Sequence, residues 1–186
     1  MRIDYYDDPR APAAQRIVPA VTAFVSDGAG RILMENRADN GLWGLPGGVH
    51  GLGETIAETV VREVLEETGV KVEVTGLVGI YSDPGHIIQF SDGETRQEFS
   101  LCFSARPVGG SISVSTESRD VRWIHSGELD GLPLSRTTRR RLRDALDEAH
   151  HLLQIAGVVL LWFLCRQVER PLPAPSLSTD SGLRSA

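Results

Sequence analysis

Cysteine is scarce in this chain. There are two, Cys102 and Cys165, far apart and in no C-x-x-C pair, which argues against a structural zinc site or a redox dithiol. Basic charge is short as well. Nineteen Lys and Arg stand against 25 Asp and Glu, for a formal net charge of -6. A nucleic-acid polymer is therefore not the expected partner, because wrapping one takes many phosphate-neutralising cations. A small anionic ligand remains compatible with that charge, since a bound cation inverts the local field. No apolar run reaches the roughly 20 residues of a membrane-spanning helix, and no internal repeat is present. Residues 1–10 lack the basic and apolar regions of a secretory signal. The expected setting is cytoplasmic and reducing.

What is present fits one domain with its own core: 41% hydrophobic and 24% charged residues in a chain of 186. Residues 1–16 are polar, carry Pro9 and Pro12, and read as an N-terminal arm. Residues 17–26 and 31–36 read as strands joined by Asp27-Gly28-Ala29-Gly30 into a hairpin. A glycine-rich stretch at residues 42–48 follows. Residues 55–68 form the clearest helix, with Thr55 and Glu58 as a capping box and Gly69 in the C-terminal cap position. Strands are expected at 71–81, 86–90, 98–106 and 121–125, with a loop at 82–85, and a charged helix at 135–150. The order predicts an α/β fold with a mixed sheet between helices over residues 17–150. Residues 151–168 hold an apolar segment, densest over 152–165. It is expected as a helix buried in the core or in a homodimer interface, with an interfacial membrane contact as the alternative. Residues 169–186 read as a disordered tail.

The chemistry concentrates in Glu63, Glu66 and Glu67. At i, i+3 and i+4 these carboxylates project from one helical face, with Ala57, Val60, Val61 and Val64 on another. Like charges at that spacing cost a few tenths of a kcal/mol per pair. Two roles are compatible with them: a solvated acidic face relieved by Arg62, or a site for a hard divalent cation, which takes oxygen ligands.

The surroundings favour the second role. Gly48 is followed after five residues by Glu54, and after seven more by Arg62-Glu63-Val64-Leu65-Glu66-Glu67-Thr68-Gly69-Val70. This spacing resembles the Nudix box at every defined position, and Trp43-Gly44-Leu45-Pro46-Gly47-Gly48 resembles its usual approach. The resemblance covers residues 17–149. It implies an α/β/α sandwich and a MutT-like or ADP-ribose pyrophosphatase-like hydrolase that splits the diphosphate of a nucleoside diphosphate linked to another moiety. It implies Mg2+, with Mn2+ as substitute, held by Glu63, Glu66, Glu67 and the Gly48 carbonyl. A homodimer is common in the adenosine-diphosphosugar branch of that family. The competing class is a non-catalytic Nudix-fold nucleotide sensor or interaction module, whose boxes are generally degraded.

Arg62 is expected to orient the carboxylates through ion pairs. Glu54 precedes the helix cap and is expected to pair with Arg62 or to reach metal or substrate. For the base that activates water, Glu63 or Glu67 and the loop residue Glu117 are the candidates, since Glu117 lies six residues before Trp123 as in MutT-like relatives. Glu98 is a further candidate near the metals and substrate. Tyr81 and Phe90 are candidates for stacking on a nucleobase, against the commoner fate of core packing. His50 and His86 are expected at the surface, and Arg139, Arg140, Arg141 and Arg143 on a solvated helix face.

Overall fold

Buried β-branched runs on either side of a single long amphipathic helix build two sheets. The computed structural model of the chain describes residues 2–147. In order the elements are β1 (Arg2–Tyr6), β2 (Arg16–Ile17), β3 (Ala20–Val25), β4 (Arg31–Arg37), β5 (Trp43–Gly44), α1 (Ile56–Thr68), β6 (Val70–Phe90), β7 (Thr95–Gly110), β8 (Ser118–His125) and α2 (Arg136–Leu146), with a 3-10 turn at Ser126–Gly131. The first sheet is mixed: β1 and β7 flank β6 in antiparallel pairing, while β2 and β3 run parallel to β7. The second is antiparallel, in the order β5-β4-β8.

Strand alternation sorts side chains into two cores. Val21, Ala23, Val25 and Leu33 pack with Val60 and Val64 of α1. Phe24, Ile32 and Met34 pack on the other side with Leu142 of α2. The result is the expected helix–sheet–helix layering.

Several sequence expectations need correction. Residues 17–26 and 31–36 do not form a hairpin. β3 belongs to the first sheet and β4 to the second, and they meet at the bridge between Ser26 and Ile32. Both strands are apolar on both faces, so each needs a core on either side, which a two-stranded hairpin cannot supply. Residues 82–85 are not a loop. β6 runs through them, and a shift of register between Asp83 and Ile87 absorbs the extra residues. Pro84, which has no N–H for a ladder, sits in that bulge. Part of the expected arm is β1, paired from Arg2 opposite Phe90 to Tyr6 opposite His86. The helix expected at 135–150 ends at Leu146, where the Asp147 N–H donates to the Arg143 carbonyl at 2.9 Å. The apolar segment at 151–168 and the tail at 169–186 lie outside the described residues. Among the described residues no helix is long and apolar enough to cross a membrane.

Candidate active site

α1 is fixed at both ends by local chemistry. The Thr55 hydroxyl accepts from the Glu58 N–H and the Glu58 carboxylate accepts from the Thr55 N–H, which satisfies two donors of the first turn. Gly69 closes the helix at φ 74°, and its N–H donates to the Leu65 carbonyl. The glycine-rich segment before the helix runs beside β3: Ala23 N–H donates to Pro46 O and Val21 N–H to Gly48 O, at 2.9 and 2.8 Å. Gly47 has φ 152°, and a Cβ there would stand 2.2 Å from the Val21 carbonyl oxygen. A Cβ on Gly48 would lie 2.5 Å from the Glu63 carboxylate. These two positions need glycine because backbone and carboxylate come that close.

The three box glutamates do not share one environment. Val60 and Val64 turn toward the core, and Glu67, three residues on, follows them; it is 5% exposed. Its Oε2 accepts the Gly47 N–H at 2.7 Å. Glu63 stands at the edge, and the Glu66 side chain is 59% exposed. Arg62 ties the cluster together. Its Nε and Nη2 donate to the two oxygens of Glu54 at 2.5 and 3.0 Å, and its Nη1 donates to Glu63 at 2.8 Å and Glu66 at 3.0 Å. That is the orienting arrangement expected of Arg62. Glu54 also accepts the Thr59 hydroxyl, and the Arg62 guanidinium with that hydroxyl holds its carboxyl at about 2. Glu54 is thus part of the Arg62 clamp and does not line the cavity described below.

A further carboxylate escaped the sequence reading. Glu35 of β4 is 1% exposed and accepts the Ser118 hydroxyl at 2.6 Å. It shares strand parity with Leu33 and therefore faces α1 and Glu67. Burial, and then the charge of Glu35, push the Glu67 carboxyl up to about 9. Burial likewise raises Glu35 and Glu63. The legible signal was an acid inside a strand whose other central residues, Ile32, Leu33 and Met34, are all apolar.

Glu63, Glu67, Gly48 and Glu117 line one cavity of about 410 Å3. Glu117, just before β8, makes no hydrogen bond through its carboxylate among the described residues. Arg2, Arg96 and Phe90 line the same cavity, and the Arg96 guanidinium lies 4.6 Å from the Phe90 ring centre. Among the described residues no three acids or histidines converge on a single point close enough to hold a metal as placed. Instead Arg62 stands among Glu54, Glu63 and Glu66.

Other expectations fare differently. Tyr81 is 4% exposed and donates its hydroxyl to Asp144 at 3.0 Å. It packs in the core beneath α2 and does not line this cavity, so it is not placed to stack on a base there. Glu98 does line the cavity, but both its oxygens are engaged. Oε2 bonds His86 Nδ1 at 2.9 Å and Oε1 accepts from Arg141. His86 is not a surface residue: it is 1% exposed, held on its other side by Asp4 at 2.7 Å and stacked on Tyr6. Burial lowers the His86 pKa, but the Asp4 and Glu98 carboxylates outweigh it and raise it. Arg141 likewise leaves the expected solvated face. Its side chain is 12% exposed and also bonds the Ser100 hydroxyl at 2.9 Å. His50 is partly buried, with Nδ1 2.7 Å from the Thr59 hydroxyl.

Comparison with known proteins gives the family of this fold. A NUDIX domain model matches residues 16–146. A MutT-like protein of Streptomyces ambofaciens is 42% identical over 120 residues, covering 64% of this chain and 71% of that protein. An ADP-ribose pyrophosphatase of Methanocaldococcus jannaschii is 33% identical over 111 residues, covering 55% of this chain and 57% of the relative. Among solved structures, a NUDIX hydrolase from Nitrosomonas europaea superposes with a TM-score of 0.61 at 25% identity, over 74% of each chain.

Proposed function

This chain belongs to the NUDIX family, and from that premise we propose that it hydrolyses the diphosphate bond of a nucleoside diphosphate linked to another moiety. The products are a mononucleotide and a second phosphate-bearing fragment. The carrying observation is that Glu63, Glu67 and Glu117 line the same cavity as Arg2, Arg96 and Phe90. The carboxylates suit the cation that a diphosphate needs, and the ring and guanidiniums suit a base or sugar.

The residues suit a hard divalent cation. The donors are all oxygens. Glu67 is a carboxylate whose ionisation is disfavoured by burial and then by the charge of Glu35, which a nearby cation relieves. Gly48 brings its backbone against Glu63 without a side chain in the way. Glu63 and Glu67, with the Gly48 carbonyl, would hold magnesium or manganese; Glu66 would join them on release from Arg62. The bound ion would supply charge neutralisation at the phosphoryl oxygens and a more acidic water.

The chain's own groups then have distinct tasks. The Gly47 N–H fixes the Glu67 carboxylate. Arg62 and Glu54 hold Glu63 in place. Glu117, whose carboxylate is unengaged, accepts the proton of the attacking water. The water oxygen bonds to phosphorus, the bridging P–O bond breaks, and its electron pair leaves with the departing phosphate. A nucleoside triphosphate and ADP-ribose or a nucleotide sugar are both within this reaction. The name of the Methanocaldococcus relative supports the ADP-ribose branch.

The test is release of phosphate-bearing products from a nucleotide panel, with magnesium, manganese or chelator, for wild type and Glu67→Gln. Cation-dependent release on one substrate class, lost in Glu67→Gln, is the expected result. Nucleotide binding without release across the panel would overturn the reading in favour of a ligand sensor.

A further inference from the structure

α2 places cations where a helix favours anions. Arg136, Arg139, Arg140 and Arg143 recur at i, i+3, i+4 and i+7, so they share one face. They line a second, open cavity of about 730 Å3 together with Tyr6 and Tyr81. The first turn of α2 has no acid, and Arg136 stands at the positive end of the helix dipole. Neighbouring guanidiniums at i, i+3 and i+4 add mutual repulsion.

Among the described residues, Asp7, Asp83 and Asp144 offset part of this charge. Asp7 takes Arg136 at 2.9 Å. Asp144 is buried, accepts the Tyr81 hydroxyl, and stands 3.9 and 3.8 Å from Arg140 and Arg143. Glu98 is engaged by His86 and Arg141. Asp83 lines the same cavity, and its charge acts on Arg136. Arg139 reaches the Leu132 carbonyl at 3.2 Å, a neutral acceptor.

We propose that this cavity is a second anion site that takes a di- or triphosphate chain. Of the residues that line it, only Glu98 and Thr137 also line the first cavity. The chain is either the distal phosphates of a substrate seated in the first cavity or a separate inorganic polyphosphate. A bound phosphate chain relieves the repulsion along α2 and complements its N-terminus. The proposal does not depend on the hydrolase reading.

Calorimetric titration of the whole chain with inorganic tripolyphosphate, in chelator and without divalent cation, tests it. The first cavity also holds Arg2 and Arg96, so the part of the binding that is lost with Arg139 and Arg140 reports the arginine face. One equivalent should bind. The double variant Arg139→Gln/Arg140→Gln should weaken binding at least tenfold, while Arg139→Lys/Arg140→Lys keeps most of it, with thermal unfolding unchanged in both. No binding by wild type, or equal affinity in the glutamine variant, overturns the site. Turnover separates the two sources. Competition by tripolyphosphate, with a raised KM in the glutamine variant, identifies distal substrate phosphates. Binding without competition identifies a separate ion. Loss of turnover across the panel bears on the hydrolase reading alone, because the titration does not require it.

Discussion

α1 and α2 have similar lengths, 13 and 11 residues, and lie against opposite cores, yet they carry charge of opposite sign. α1 gathers Glu63, Glu66 and Glu67 around Arg62. α2 gathers Arg139, Arg140, Arg141 and Arg143 around Asp144. Each helix turns one member of its cluster inward: Glu67 toward Glu35, and Arg141 toward Glu98. The inward groups differ in kind. Arg141 meets an opposite charge and is neutralised within the fold. Glu67 meets a like charge and is left awaiting a cation from outside. An inward group that is satisfied within the fold reads as structure, and one that is frustrated there reads as a site.

Breaking the frustrated member should have the largest effect on activity and little on folding. Glu67→Gln should reduce kcat by about 10³-fold, several kcal/mol of charge stabilisation. Its metal-free unfolding temperature should be no lower than wild type, because a carboxyl raised to about 9 is already neutral near pH 7 and glutamine is close to it in shape. A clear drop in that temperature would mean Glu67 is structural. Breaking the satisfied member should do the reverse. Arg141→Gln leaves Glu98 without its guanidinium and should cost about 3 kcal/mol in denaturant unfolding, with a smaller effect on kcat. Equal losses of activity in the two variants would erase the contrast drawn above. Gly47→Ala tests the backbone that holds Glu67. A Cβ would strike the Val21 carbonyl, and the left-handed φ adds strain, so about 2 kcal/mol of stability should be lost.

The smallest effect is a pH dependence. His86 has its folded pKa raised above the ordinary 6.5 by Asp4 and Glu98. Its contribution is therefore full below pH 6.5 and lost as pH rises through the raised value. Unfolding temperature should fall across that window in wild type, and His86→Gln should flatten the slope. An unchanged slope would mean that His86 is not charged in its ion pairs. Asp4, held at about 2 by His86 and Arg2 against the cost of its burial, acts only at the acid end.

Local spacing made α1 readable. The capping box and Gly69 are short-range and lie where residue spacing placed them, whereas Glu67 leaves the face expected for it and turns to the core with Val60 and Val64. Long-range pairing hid the rest. Glu35 became a neighbour of Glu67 only through strand parity and the docking of α1. His86 looked like a loop residue because Pro84-Gly85 reads as a turn, and nothing local reveals that β6 bulges and continues. Arg141 is one arginine in a run, and only the facing Glu98 distinguishes it from Arg140. β1 looked like a polar arm because its buried groups, Arg2 and Asp4, are charged and satisfy one another.

The pairing of β1 also sets an order of events during synthesis. Arg2–Tyr6 meets its partner strand only at His86 to Phe90, and β3 waits for residues 100–105 of β7. At about 5–20 residues per second, the first strands emerge roughly 4–20 s before their partner strands do. Until then the nascent chain carries the apolar β3 with only the segment at residues 46–49 beside it. In the cell, yield of this protein should depend on chaperone supply during that interval more than on the stability of the finished fold.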